Sequence, residues 1–265
     1  MKIIRRKALL IVTGSLAFDW IMDFPGKFSD HIMPSKIHQI NLSFLVNKLT
    51  KQRGGTAGNI AYNLALLGEK PIILATAGYD FDDYKQSFST SKQSFSTSKQ
   101  SFSTSKQSFT SYQRELEKVG VNTNLIRIMK AEPTASAFIF TDKSDNQITG
   151  FYPGAMGYAK KLSLRSVGAG SSRPFVVISP NDPLAMMNFV KECLELKIDY
   201  LFDPGMQLPR LSDQDLKLGI EGAKIVIGND YEMALIHARS RGSIGQTGSQ
   251  IWITTLGEKG AKIET

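Results

Sequence analysis

Residues 8–19 read Ala8-Leu9-Leu10-Ile11-Val12-Thr13-Gly14-Ser15-Leu16-Ala17-Phe18-Asp19. A short apolar run closed by glycine reads as a strand buried on both faces, residues 8–13, running into a turn. Asp19 then stands just past the C-terminal end of that strand, where open α/β sheets bind their ligands. A secretory leader is the rival reading, because residues 1–7 are basic and residues 8–12 apolar. Thr13, Gly14 and Ser15 interrupt the run, Asp19 ends it, and no convincing A-x-A cleavage site follows, so the strand is preferred.

Strand-length apolar runs alternate with helical patterns along the rest of the chain. Strands are expected at residues 71–77, 175–179, 200–203, 224–228 and 251–255. Helices are expected at 56–67, 112–119, 183–196, 212–221 and 231–238. In the first of these Ile60, Leu64 and Leu67 share a face and Gly68 is the stop. This alternation predicts an α/β fold: a Rossmann-like, mostly parallel sheet with helices on both faces. Two stretches depart from it, residues 19–46 and 135–152, where polar and apolar residues alternate in short extended pieces. They are expected to pair as a small separate β sheet, a lid beside the switch point of the main one.

The chain has 265 residues, 42% hydrophobic and 21% charged, which suits one large domain and excludes fibrous or wholly disordered classes. The single cysteine, Cys193, excludes an intramolecular disulfide and a thiolate metal cluster, and fits a reducing, cytoplasmic setting. The net charge of +8 has two sources: Lys2, Arg5, Arg6 and Lys7 at the start, and Lys85, Lys92, Lys99 and Lys106 in a repeat. A nucleic-acid binder spreads its basic residues over a folded face, so no nucleic-acid partner is expected. No apolar run approaches the roughly 18 residues of a membrane span, so no membrane partner is expected either.

The repeat is the heptad KQSFSTS, beginning at Lys85, Lys92 and Lys99, with a degenerate copy, KQSFTSY, from Lys106. One phenylalanine per heptad cannot make a coiled-coil seam, which needs two apolar positions. Residues 85–112 are read as a low-complexity insertion in a surface loop, a tandem duplication that the fold tolerates because loop closure depends weakly on length.

Four constellations could carry chemistry. Asp19 can accept hydrogen bonds from two adjacent sugar hydroxyls, or simply close a turn. Gly54-Gly55-Thr56-Ala57-Gly58-Asn59 opens the first helix. Its glycines admit a ligand to the backbone and the helix start favours oxygen-rich groups, though glycine pairs also serve tight turns. Asn229-Asp230-Tyr231-Glu232 follows a strand, and its Asn and Glu could order Mg²⁺ through water beside phosphate, or form an N-cap and capping box. Thr254-Thr255-Leu256-Gly257-Glu258-Lys259-Gly260 could pass close to a nucleotide, or be a hairpin turn. His31, His38 and His237 have no metal-ligand spacing, and hydrolase, zinc-protease and Walker A patterns are missing. Gly168-Ala169-Gly170 is a decoy: Arg173 stands where a dinucleotide fingerprint needs its last glycine, and a strand follows.

Taken together and in this order, the four resemble the ribokinase-like (PfkB-type) carbohydrate and nucleoside kinases, over nearly the whole chain except the repeat. Residues 40–46 (INLSFLV) and 146–156 (NQITGFYPGAM) narrow the likeness to the bacterial and archaeal adenosine-kinase-like nucleoside kinases. The resemblance implies an ATP-dependent phosphotransferase acting on a nucleoside or sugar hydroxyl with Mg²⁺. Asp19, Gly54, Gly55 and Asn59 would bind ribose, with Asn41 and Gln147 on the lid touching sugar or base. Asn229 and Glu232 would organise Mg²⁺ and phosphate, and Thr255 and Gly257 would line the ATP site. A homodimer through the lid fits the same picture.

The family also carries a later Gly-Ala-Gly-Asp motif whose Asp is the base for the attacking hydroxyl. The 265 residues end at Thr265 without it, and Gly168-Ala169-Gly170-Ser171 is no substitute. The expectation is therefore a C-terminally truncated member with no catalytic base of its own, impaired in turnover. The rivals are a free-sugar kinase of the ribokinase or fructokinase type, a non-catalytic nucleoside-binding remnant, and a (β/α)₈ barrel, which the early extended pieces disfavour.

Overall fold

The structure is a computed structural model that describes residues 9–33, 41–81, 111–167, 174–239 and 250–265. The basic start (residues 1–7), most of the heptad repeat (85–110) and the decoy at 168–170 lie outside those residues. The chain runs β1 (Leu9–Thr13), β2 (Ala17–Asp23), β3 (Lys48–Gly54), α1 (Thr56–Leu66), β4 (Ile72–Leu74), β5 (Thr76–Gly78) and α2 (Tyr112–Lys118). There follow β6 (Arg127–Met129), β7 (Ala135–Thr141), β8 (Gln147–Tyr152), β9 (Pro174–Ile178), α3 (Pro183–Leu196), β10 (Asp199–Phe202) and α4 (Asp213–Glu221). The last elements are β11 (Ile225–Asn229), α5 (Asp230–Arg239), β12 (Ile251–Thr255) and β13 (Ala261–Glu264).

Seven strands form the main sheet in the order β13-β12-β11-β10-β9-β1-β4, parallel except for β13. Successive side chains of a strand point to opposite faces, and the core divides accordingly. Val176, Ile178, Tyr200, Phe202, Val226 and Trp252 pack one face against Ala185, Met186 and Phe189 of α3, Leu216 and Ile220 of α4, and Met233 and Ile236 of α5. On the other face Val12, Ile73 and Val177 pack against Ala57, Ala61 and Ala65 of α1 and Leu116 of α2. The α/β reading with helices on both faces is thereby borne out.

Local chemistry explains the boundaries. Asp182 caps α3, its Oδ1 accepting from Leu184 N (3.0 Å) and Ala185 N (3.2 Å), with Pro183 in the first turn. Ser212 Oγ accepts from Asp215 N at 3.1 Å and starts α4. Two expectations need correction. The buried face of α1 is Ala57, Gly58, Ala61 and Ala65, while Leu67 is 81% exposed and Ile60 and Leu64 only flank the core. Small residues let the helix lie close, with the Tyr112 ring and Leu16 against Gly58. The single strand expected at 71–77 is two, because the chain leaves the main sheet at Ala75 and β5 pairs with β6 instead.

The small sheet has the order β3-β2-β7-β8. Its first outer strand, β3, begins at Lys48, past the residue 46 at which the first extended piece was expected to end. Lys48, Lys51 and Arg53 gave it no apolar alternation, and charge of that kind is what an edge strand tolerates.

Candidate active site

In the main sheet β1 connects onward to β4 on one side, while β9 and the later parallel strands lie on the other. The crevice at the C-terminal ends of β1 and β9 is thus the topological switch point, the expected ligand site of such a sheet. Gly14 and Ser15 leave β1 there and lead into β2, which carries Asp19 into the small sheet. Antiparallel pairing of β2 with β3 sets Ala17 opposite Gly54 and Asp19 opposite Gln52. A Cβ on Gly54 would overlap the Asp19 carboxylate, so glycine at 54 is what lets the acid lie there. Gly55 follows at φ +87° as the residue before α1, a conformation that disfavours any side chain. Tyr112 OH donates to Gly54 O at 2.6 Å and fixes this corner from behind.

The structure therefore gathers Asp19, Gly54 and Gly55, with Asn59 one turn into α1 on its exposed side. Asp19 is half-buried, and loss of solvent pushes its carboxyl above the ordinary 3.8. Gln147 is not brought to this cluster. It shares the Asp19 face through the register Asp23–Thr141–Gln147, but it lies four residues along and two strands across, about 16 Å away. Asn41 sits exposed in the irregular segment before β3, and Phe44 of that segment packs on Phe24, Phe28 and Phe140 at the same far end.

On the same rim, Asn229 ends β11 and pairs in register with Thr255 of β12. β11 is three strand positions from β1, roughly 14 Å at ordinary spacing. Asn229 N donates to Glu232 Oε2 (2.8 Å) and Glu232 N donates to Asn229 Oδ1 (2.7 Å). This is a reciprocal capping box at the start of α5, and the other carboxylate oxygen of Glu232 remains for a ligand. Thr255 and Gly257 sit where β12 turns into the antiparallel β13 hairpin. Among the described residues no group of three or more His, Cys, Asp or Glu could hold a metal ion directly. The hard oxygen donors at Asn229 and Glu232 suit a hydrated Mg²⁺ held through water.

Sequence reasoning passed over three residues between these ends. Asn181 is buried, donates from Nδ2 to Gly14 O at 3.0 Å, and accepts from Asp182 N at 2.8 Å. Thr56 links the crevice walls through its hydroxyl. Asp203 lies at the end of β10, its carboxyl pushed up to about 7 by burial first and by the Glu232 charge second, against a backbone hydrogen bond from Gly205. Its signal was an Asp-Pro-Gly run at a strand end, the position that singled out Asp19.

Known proteins are similar to this chain in sequence and fold. The chain is 27% identical over 197 residues to a nucleoside kinase of Methanocaldococcus jannaschii, a match covering 74% of the chain and 55% of that protein. It is 24% identical over 260 residues to a nucleoside kinase of Methanothermobacter thermautotrophicus, covering 96% of the chain and 71% of that protein. The fold superimposes on Burkholderia thailandensis nucleoside kinase in complex with inosine, with a TM-score of 0.73, 29% identity, and coverage of 96% of this chain and 72% of that one. The same enzyme in complex with ADP-inosine gives a TM-score of 0.71 and 30% identity, covering 96% and 71%. The profile of the pfkB family carbohydrate kinases matches residues 106–263, more than half of the sequence, and the chain belongs to that family.

Proposed function

We propose that this chain forms the acceptor- and phosphate-binding body of a kinase that transfers the γ-phosphate of ATP to a ribose hydroxyl of a nucleoside. The observation that carries this reading is the Asp19 carboxylate seated against Gly54 at the switch point, beside the start of α1. An acid so placed accepts from two vicinal hydroxyls and orients the third toward the rim. The row Gln52–Asp19–Ala137–Phe151 across the small sheet favours a nucleoside over a free sugar. Phe151 is 43% exposed and lies two strands, roughly 10 Å, from Asp19, with only a methyl group between them. That spacing suits a base stacked on the ring while Asp19 holds the sugar.

Glu232 and Asn229 would hold hydrated Mg²⁺, which when bound neutralises phosphate charge. Thr255 and Gly257 would border the nucleotide. Residues 1–265 are read as one ribokinase-like domain, with the small sheet as its lid and the 85–112 heptads as an insertion. Leu49, Phe138 and Ile148, exposed together on the other face of the small sheet, favour a homodimer through that face. Among the described residues no helix is long and apolar enough to cross a membrane. The lone Cys193, buried and with its thiol pushed up to about 12, suits a reducing cytoplasm.

The test is calorimetric titration of the 265-residue polypeptide with inosine, adenosine and ribose, together with a coupled ADP-release assay over the same panel. Binding of inosine and adenosine in preference to ribose is expected, with any ADP release dependent on the nucleoside. Binding of ribose but not of either nucleoside would move the reading to a sugar kinase.

A further inference from the structure

The acceptor site straddles two sheets. Asp19 belongs to the small sheet, whereas Gly55 and Asn59 belong to the start of α1 on the large one. Their relative position depends on two chain crossings, Gly14–Leu16 between β1 and β2, and Gly55 between β3 and α1. The residue before α1 is glycine and offers no capping side chain. The cap comes from the other crossing: Ser15 Oγ accepts from Thr56 N at 3.1 Å, and Ser15 O accepts from Ala57 N at 3.0 Å.

Thr56 returns the bond, its Oγ1 accepting from Ser15 N at 3.2 Å. The same hydroxyl donates to Pro180 O at 3.0 Å and lies 2.9 Å from Ser179 Oγ, both just beyond β9. Ser179 Oγ in turn lies 2.7 Å from Thr13 O. Three hydroxyls thus tie β1, β9 and the start of α1 into one knot directly beneath the Asp19–Gly54 corner. Packing alone would not require this, because a valine at 56 has nearly the threonine shape. It would take from Pro180 O one of its two donors, Ser15 N at 3.0 Å being the other, and leave Ser179 Oγ tied only to Thr13 O, so that β9 would no longer hold the start of α1 through that hydroxyl.

We infer that Ser15 and Thr56 are positioning residues of the acceptor site, holding the start of α1 at a fixed place relative to the strand that carries Asp19. The inference rests on the nucleoside-acceptor reading for its ligand, but the knot can be probed without any ligand. The variants are Thr56→Val, Thr56→Ser and Ser15→Ala in the full chain. The readouts are inosine affinity by calorimetry, thermal midpoint, and amide hydrogen exchange at Thr56 and Ala57.

Thr56→Val and Ser15→Ala are expected to weaken inosine binding about tenfold and to speed exchange at the two amides, while Thr56→Ser restores both. A purely structural role would lower the thermal midpoint and leave the affinity of the folded fraction unchanged. That result overturns the inference, as does a Thr56→Ser variant that behaves like Thr56→Val. Should the unmodified chain bind no nucleoside, the proposed function fails on its own, and the exchange comparison still decides whether the hydroxyls hold the start of α1. Ser15→Ala keeps the test decisive if Thr56→Val does not fold.

Discussion

The two ends of the rim are built differently. At the β1–β9 end the helices α1 and α2 cover one sheet face, α3 covers the other, and the site side chains rest on buried neighbours. At the β11–β12 end only one face is covered among the described residues. Val177, Leu201, Ile225 and Ile251 form one row through the strand registers, with Ile253 and Ile263 in a neighbouring row. Exposure rises along that face, from 7% at Val177, through half-buried Leu201, Ile225 and Ile251, to 65% at Ile263. On the opposite face Tyr200, Val226 and Trp252 stay buried throughout. The β1–β9 end therefore has its geometry set from both faces, whereas among the described residues the β11–β12 end is set by backbone caps and one layer of packing.

Substitutions can break this contrast or sharpen it. Asp19→Asn keeps the shape but removes the charge, and inosine affinity should fall about 100-fold or more, whereas Glu232→Gln should leave it within about twofold. Equal losses would show that the two ends are not separable. Val226→Ala, on the covered face, should cost about 2 kcal/mol in urea unfolding, and Ile225→Ala, its neighbour on the open face, less than half of that. Similar costs would mean that something packs over both faces. Phe151→Ala should weaken inosine binding about tenfold and leave ribose binding unchanged.

The last test is a pH dependence at Asp203. Its folded carboxyl titrates near 7 against an ordinary 3.8. The folded state therefore holds the proton more tightly, and the resulting stability is complete below 3.8 and lost as the pH rises through about 7. Asp203→Asn should flatten this slope between about pH 4 and pH 7 in denaturant titrations, whereas an unchanged slope would assign it to other groups.

Much of this was legible from the chain. β12 and α3 fall where apolar runs and turn residues put them, because β-branched residues between turns, and Asp182 before Pro183, are local signals. Asp19 and the glycine pair were legible for the same reason. What stayed hidden depended on pairing. The strand β3 has no apolar alternation, and the buried stripe of α1 follows from how closely Tyr112 approaches it. The hydroxyls of Ser15, Thr56 and Ser179 are ordinary residues in sequence, and only the fold makes them neighbours across more than 120 positions. Gln147 stands on the Asp19 face but four positions along and two strands across, a placement that no pattern short of the strand register reveals.

The contact between Phe81 and Tyr112 has a practical corollary. Their ring centroids are 5.0 Å apart, so the described residues on either side of positions 82–110 meet at one place. With the ends held that close, excising one copy is expected to change the closure entropy by only a few tenths of a kcal/mol, roughly (3/2)RT times the logarithm of the length ratio. The junction is a natural splice port, where a reporter peptide could replace the three exact heptads, residues 85–105, without touching the two rings that seal it.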